Sequence, residues 1–357
     1  LPIRVVGLFG ESHGVAASAR LAVRAFEALG APVEAVTVRP GVDARAALGR
    51  AAPAIWIFHL NPPELVDALA SLGPGRVTGP RFGYWAWELP RAPAPWLTDA
   101  RLLDEVWAPS RYVADALAGA RAPVRAVPHP LFPEDYRDIA PAPRTAAFRA
   151  VALFDFNSSA ARKNPEGAIE AFRRAFGDDP ACELVIKTQN GAAHPKALAD
   201  LRARAGAGAR LIDESWPYAE VKGLIAGADV LISLHRAEGF GLVMAEAMAL
   251  GTPVLATAAS GNVDFMDDRS ALLVPARPTA VDDPQGIYCG QHWFEPDVAA
   301  AAAALRRLRD EPGLSARLAE AGRARVAEQL SPEAWVCSLP EVVQAAVEGQ
   351  RSGLLGA

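Results

Sequence analysis

The chain alternates between two hydrophobic periods. "IRVVGLFG" (3–10) is an apolar, β-branched run that stops at glycine, the pattern of a strand buried on both faces. "VAASARLAVRAFEALG" (15–30) follows with apolar residues at helical spacing, and Gly30 is placed as a helix C-cap. "VEAVTV", "AIWIFHLN", "RVTGPRFGYWAWE", "EVWAPS" and "VRAVPHP" continue as strand-like runs. Residues 128–147, rich in proline and without a period, read as a linker between domains. The alternation then restarts with "AVALFDFN", "NPEGAIEAFRRAFG", "CELVIKTQ", "HPKALADLRARAG", "ARLIDES", "AEVKGLIAGA", "DVLISLH", "GFGLVMAEAMALG" and "TPVLATAAS". From about residue 296 the pattern is helical to the end. Strand and helix in alternation predict an α/β protein with parallel sheets, here in two halves. In such sheets ligands bind at the carboxyl ends of the strands, and two edges facing each other would make a cleft.

Composition narrows the picture. A chain of 357 residues with 51% hydrophobic and 22% charged residues can bury cores and is not a disordered chain. A net charge of −5 gives no footprint for nucleic acid. Cys182, Cys289 and Cys337 fit neither a metal nor a disulfide spacing and read as thiols in a reducing compartment. No apolar run approaches the ~20 residues that cross a bilayer. The opening "LPIRVVGLF" shows no signal peptide but also lacks a methionine, which leaves a preceding segment or a larger multidomain chain open. Only Lys163, Lys187, Lys196 and Lys222 stand among 36 basic residues, which singles out each of them.

Chemistry concentrates in "LISLHRAEGFGLVMAEAM" (231–248). A strand ends near His235, a loop carries Glu238, and a helix is expected to begin near Phe240 or Gly241. A helix start presents unpaired N–H groups and about half a positive charge, which suits an anion. Glu246 lies in that helix among Leu242, Val243, Met244, Ala245, Ala247 and Met248. A buried carboxylate there needs hydrogen-bonding partners, and a sugar diol can supply them. From the residues alone, a capping Glu238 and a solvent-facing Glu246 fit as well.

"EGFGLVMAEAMALGTPVLAT" resembles the E-x7-E signature of retaining GT-B glycosyltransferases of the group 1, or family-four, type. "ADVLIS", "SGNVDFM", "GYWAWELPRAPAPWLTDARLLDEVWAPSRYVADAL" and "FDFNSSAARKNPEGAIEAF" extend the resemblance over nearly the whole chain. It implies a GT-B fold, two Rossmann-like domains facing a central cleft: residues 1–144 on the acceptor side, completed by a C-terminal helix 333–357, and 145–332 on the donor side. It implies that Glu246 contacts the ribose of a nucleotide sugar and Glu238 the transferred sugar, with Phe240, Gly241 and Leu242 at the diphosphate. Lys163 matches the family lysine. The family arginine falls at Ser158, so Arg162 or that hydroxyl takes its place, and cations there stabilise the departing diphosphate. His235 and Arg236 stand before Glu238 and within reach of the donor. Asn157, Lys187 and Asp213 complete the donor-side candidates, with the base expected near 212–216.

The glycine-rich "GLFGESHGVAASAR" (7–20) is not G-x-G-x-x-G, so a dinucleotide cofactor is not indicated. The resemblance points to Gly14, and more loosely His13, near the donor phosphates. The family's N-terminal domain supplies a polar group near the reacting carbon, for which Glu88 in "GYWAWEL" is the candidate; a capping glutamate at a buried strand end fits equally. His59, His129, His194 and His292 read as structural. No D-x-D triplet occurs, so no metal and no cofactor is expected.

The implied function is retaining, metal-independent transfer of a sugar from a nucleoside-diphosphate sugar to a glycan, lipid-linked or small-molecule acceptor. Two rivals fit the same features: a nucleotide-sugar 2-epimerase of GT-B fold, and a non-catalytic nucleotide-sugar-binding module of a larger glycan-assembly protein. The expected setting is cytoplasmic, with peripheral association at the inner face of the membrane as an option.

Overall fold

The computed structural model describes the chain except for Ser12, His13, 40–51, Pro74, Thr145, Ala207 and 355–357, and the side chains of 350–354. The looser candidate His13 thus lies outside the described residues. Two compact units emerge, Leu1–Leu131 with Gln329–Ala357, and Phe132–Glu328.

The first unit runs β1 (Ile3–Gly7), α1 (Gly14–Ala28), β2 (Val33–Thr37), β3 (Ile55–His59), α2 (Pro62–Leu72), β4 (Arg81–Tyr84), α3 (Ala94–Asp99), β5 (Glu105–Ala108), α4 (Arg111–Ala116) and β6 (Val124–Ala126). Its parallel sheet has the order β2-β1-β3-β4-β5-β6. Every residue of β3 is buried, as the continuous apolar run "IWIFH" requires of a central strand covered on both faces. Trp56, Phe58, Leu65, Trp85 and Val106 anchor this core.

The second unit runs β7 (Phe148–Asp155), α5 (Ala160–Lys163), α6 (Pro165–Phe176), β8 (Cys182–Gln189), α7 (Pro195–Ala205), β9 (Arg210–Asp213), α8 (Tyr218–Ala226), β10 (Val230–Ser233), α9 (Leu242–Leu250), β11 (Val254–Thr257), β12 (Leu272–Val274), an antiparallel hairpin β13 (Ala276–Ala280) and β14 (His292–Pro296), and α10 (Val298–Asp310). Its parallel sheet has the order β12-β11-β10-β7-β8-β9. Helix α11 (Leu314–Leu330) ends past the division, and α12 (Pro332–Cys337) and α13 (Glu341–Leu354) belong to the first unit. There Trp335 packs edge-on against Phe26 of α1, 4.9 Å between ring centroids.

Local chemistry sets the helix starts. Asp297 caps α10 by accepting from the N–H groups of Ala299 and Ala300. Asn164 caps α6 from a left-handed conformation, φ 51°, where asparagine is tolerated.

Three features differ from the sequence expectation. Helix α9 begins at Leu242, because Gly241 before it holds φ at 101°, outside the helical region. Strand β12 and the hairpin β13–β14 have no counterpart in the sequence reading. The chain divides at 131/132 rather than 144/145, because 132–142 packs within the second unit: Lys222 donates to the Asp135 carbonyl at 3.2 Å and Ala142 N–H to Gly223 at 2.8 Å.

Candidate functional site

The second sheet grows from β7 towards β9 on one side and towards β12 on the other. The crevice beyond the carboxyl ends of β7 and β10 is therefore its topological switch point, where doubly wound sheets bind ligands. The turn after β7 brings Arg162 and Lys163 there, and the loop after β10 brings Glu238.

Lys163 Nζ lies 2.5 Å from Glu238 Oε2, and Arg162 Nη1 lies 3.5 Å from the same oxygen. Burial alone would raise the pKa of Glu238, but the Lys163 ammonium and the Arg162 guanidinium outweigh it and hold the carboxyl at about 2. The two cations differ in role. Arg162 is buried and also donates to the carbonyls of Ala237 (2.8 Å) and Ser158 (3.2 Å), so it braces the two loops. The Lys163 side chain keeps 23% of its surface exposed.

The segment between the glutamates is built around glycines. No side chain caps α9, because its N-cap is Gly241, so its first N–H groups have no side-chain acceptor. A second loop backs this one. Ser260 Oγ accepts from Glu238 N–H at 3.1 Å, and Gly261 N–H donates to the Glu238 carbonyl at 2.8 Å. A Cβ on Gly261 would sit 2.1 Å from the Gly239 oxygen, so only glycine allows this approach. Phe240 is buried and packs on Phe265 at 4.9 Å.

Glu246 sits inside α9, 4% exposed. Its Oε1 accepts from the Tyr136 hydroxyl at 3.3 Å, while Oε2 has no hydrogen-bond partner. The Tyr218 hydroxyl lies beside the carboxyl without hydrogen-bonding geometry to Oε2. Burial pushes the carboxyl up to about 7, against the opposing pull of the Tyr218 and Tyr136 hydroxyls and the Lys222 ammonium. Lys222 Nζ stands over the rings of Tyr136 (4.6 Å) and Tyr218 (5.4 Å). Tyr136, Tyr218 and Lys222 were not among the candidate site residues; the scarcity of lysine was the signal that pointed at Lys222.

Other donor-side candidates are engaged by protein groups. His235 is fully buried; Nδ1 meets Ser233 Oγ at 3.0 Å and Nε2 meets Asn262 Oδ1 at 3.0 Å. Burial lowers its basicity, so the neutral ring acts as a clamp between the loops after β10 and β11. Arg236 forks onto Glu295 at 2.5 and 3.1 Å and ties the hairpin to the site loop. Lys187 is buried and donates to the carbonyls of Thr188 (2.9 Å) and Glu214 (2.5 Å), with the Trp216 ring 4.9 Å from its Nζ. It therefore shapes the loop after β9 from behind. Asp213 accepts from Gly191 N–H at 3.1 Å, and the Asn157 amide oxygen meets His194 Nε2 at 2.9 Å. Ser158 presents its carbonyl, not its hydroxyl, to Arg162.

Gly14 and Glu88 belong to the first unit. Gly14 opens α1, and a Cβ there would meet nothing within 4 Å. Glu88 is half-buried, and its carbonyl accepts from the Tyr112 hydroxyl at 3.1 Å. An aromatic cluster lies at the carboxyl edge of this sheet: His59 stacks on Tyr84 at 4.7 Å, and half-buried His129 tilts against Tyr84 at 5.3 Å. Ser18 Oγ meets His59 Nδ1 at 2.9 Å, and burial, with the nearby His129, lowers His59 to about 3.

Among the described residues no group of His, Cys, Asp and Glu could hold a metal ion, and no helix is long and apolar enough to cross a membrane.

Two doubly wound units are the components of the GT-B fold, and solved glycosyltransferase structures share it. Sucrose-phosphate synthase from Thermosynechococcus elongatus matches with a TM-score of 0.70 at 16% identity, over 98% of this chain and 99% of that one. HepE of Anabaena, solved with UDP and glucose, matches with 0.67 at 15% identity, over 96% and 99%. At such identity the likeness is one of fold. In sequence, residues 156–325, a segment within the second unit, match the model of the glycosyl transferases group 1. D-inositol 3-phosphate glycosyltransferase of Thermomonospora curvata is 40% identical over 115 residues, 32% of this chain and 22% of that protein. That of Streptomyces avermitilis is 33% identical over 165 residues, 45% of this chain and 31% of that protein. The match thus spans less than a third of these curated relatives.

Proposed function

We propose that the chain is a glycosyltransferase whose second unit binds a nucleoside-diphosphate sugar and gives up the sugar with retention of configuration, without a metal ion. The observation that carries this reading is the pairing of an ionised Glu238 with Lys163 beside an uncapped helix start, one helix turn and more before a buried Glu246 with a partnerless oxygen.

The roles follow from charge. The start of α9 and Lys163 take the diphosphate, and Arg162 keeps the loop in place. Glu246 accepts from the ribose hydroxyls. Glu238, held ionised by its cations, accepts from hydroxyls of the transferred sugar. As the bond from the sugar to the diphosphate breaks, the same positive groups stabilise the charge that develops on the departing oxygen, the role a divalent ion plays elsewhere. That oxygen receives the acceptor's proton. The acceptor, a carbohydrate or a lipid-linked one, belongs to the first unit in this reading.

The test is a panel of UDP-, GDP-, ADP- and TDP-sugars offered with glycan and lipid-linked acceptors in the presence of EDTA, with the anomeric configuration of the product read by NMR. Transfer with retention is expected. Conversion of the nucleotide sugar without an acceptor would point to an epimerase instead, and loss of all activity in EDTA would overturn the metal-free reading.

A further inference from the structure

Helix α5 has four residues, Ala160–Lys163, yet it carries both cations that face Glu238. A single helical turn does not hold its own geometry, because nucleation costs more than its one or two hydrogen bonds return. Ser159 before it takes φ 62° and ψ 108°, a backbone that a serine keeps only when its surroundings impose it. The support comes from the hairpin β13–β14. In the connection 281–291, Asp283 Oδ1 accepts from the buried Ser159 hydroxyl at 2.9 Å, and that oxygen accepts in turn from the Arg162 N–H at 3.2 Å. Gln285 Oε1 accepts from the Ala160 N–H at 2.6 Å, and Gln285 Nε2 donates to the Phe156 carbonyl at 2.8 Å and lies 3.2 Å from His194 Nδ1. The buried Tyr288 ring stands 5.8 Å from the Arg162 guanidinium. The base of the same hairpin holds the other end of α5. Glu295 fixes Arg236, whose guanidinium donates to the Ala161 carbonyl at 2.6 Å and whose N–H donates to the Arg162 carbonyl at 2.7 Å.

The connection is itself shaped where it meets α5. Asp283 Oδ2 accepts from the N–H groups of Ile287 and Tyr288 at 3.0 and 3.2 Å, so one carboxylate both folds the connection and grips Ser159. We propose that the hairpin is a brace for the cation pair, with Asp283 and Gln285 as positioning residues that set Arg162 and Lys163 against the diphosphate. This rests on the reading of the second unit as a nucleotide-sugar site. Neither residue meets the donor in this arrangement; each acts through α5. The brace also reaches only one half of the site. Its hydrogen bonds end on the turn that carries the cations, whereas Glu246 is held by Tyr136 from another segment. Its loss is therefore felt by the phosphates and not by the nucleoside.

The test titrates UDP, GDP and ADP, and the matching nucleosides, into the wild-type protein, Gln285→Met and Asp283→Ala. Methionine keeps the length of the glutamine side chain and removes its hydrogen bonds. For the best-bound diphosphate each variant is expected to lose about fivefold or more in affinity, on the scale of one or two hydrogen bonds. Affinity for its nucleoside is expected to stay within about twofold of wild type, because sites without shared partners act independently. Amide exchange in 160–163 should quicken in both variants. Melting temperatures are read alongside; Gln285→Met leaves the Asp283 turn intact and decides the matter where Asp283→Ala unfolds. Unchanged diphosphate affinity overturns the proposal. An equal loss for diphosphate and nucleoside also overturns it, because the hairpin would then support the unit as a whole and not the cations. A wild-type protein that binds none of the diphosphates overturns the nucleotide-sugar reading itself, and the brace with it.

Discussion

Glu238 and Glu246 share one loop-and-helix segment, yet their surroundings drive their acidities apart. Glu238 has two cations within reach and stays ionised at about 2, whereas burial without a cation in contact raises Glu246 to about 7. The signs for stability are opposite. A depressed pKa contributes stability that is present above the ordinary carboxylate value of 4.5 and lost as pH falls towards 2; the raised one costs stability as pH climbs from 4.5 through about 7. The groups facing Glu246 are Tyr136 and Asp135 from one segment and Tyr218 and Lys222 from α8. None of them supplies the missing hydrogen bond to Oε2, so the ligand-free protein carries an unresolved polar group in its interior. Glu246→Gln is therefore expected to melt higher than wild type at pH 8, with the gap closing below about pH 5, and yet to bind nucleoside diphosphates at least about tenfold more weakly. Thermal melts across pH and calorimetric titration check both halves; a variant that melts lower at pH 8 contradicts the strain assigned to this carboxylate. Lys163→Ala removes the closer of the two cations from Glu238 and a cation from the proposed diphosphate site. Hydrogen bonds to charged groups are worth roughly 1.5–3 kcal/mol, so donor affinity should fall about tenfold to a hundredfold. A diphosphate affinity that does not change would remove Lys163 from the site.

At the scale of elements, the site is two loops pressed together at the ends of β10 and β11. His235 and Asn262 bond across them, and Asn262 also donates to the Thr257 carbonyl at 3.0 Å. Gly261 lets the second loop rest on the backbone of Gly239 and Phe240. Gly261→Ala is expected to destabilise the fold by about 1–3 kcal/mol, the usual cost of overpacking, because backbone, not a flexible side chain, stands in the way. It should weaken nucleotide binding as well, since the same loop fixes Glu238. Urea denaturation with a nucleoside diphosphate titration measures both, and a neutral effect on each would mean the loops are not jointly set. Elements buried on both faces were legible because their pattern is unambiguous: "CELVIKTQ" became β8 with those very ends. The hairpin β13–β14 was not. Its first strand, "ARPTA", is mostly exposed and carries a proline, and what fixes the hairpin is the long-range Arg236–Glu295 pair. The same limit explains His235 and Lys187. Their residue types suit a ligand, but whether a side chain turns outwards or into a clamp is decided by neighbours distant in sequence, Asn262 and Glu214.

For the whole molecule, the charged groups assigned to the donor all lie within Phe132–Glu328, and so does the segment matched by the group 1 model. That grouping was legible, since Glu238, Glu246 and Lys163 could be located in one half of the chain from one motif and its context. The allegiance of residues 132–142 was not, because a proline-rich stretch has no period and its attachment depends on Lys222 of α8 reaching the Asp135 carbonyl and Tyr136 reaching Glu246 of α9. Each unit has a hydrophobic core of its own, so each can respond to a ligand separately. A nucleoside diphosphate at a hundred times its Kd stabilises the state it binds by about 2.7 kcal/mol, and that stabilisation appears where the ligand touches. Hydrogen exchange with and without the best-bound diphosphate should therefore slow in 160–163, 238–246 and 259–262, and in 133–136 and 218–222 through the cluster around Glu246. Slowing confined to the first unit would contradict the donor assignment made for the second. Slowing in the second unit without the segment 133–136 would detach Tyr136 from the site and leave Glu246 to meet the ribose without that support.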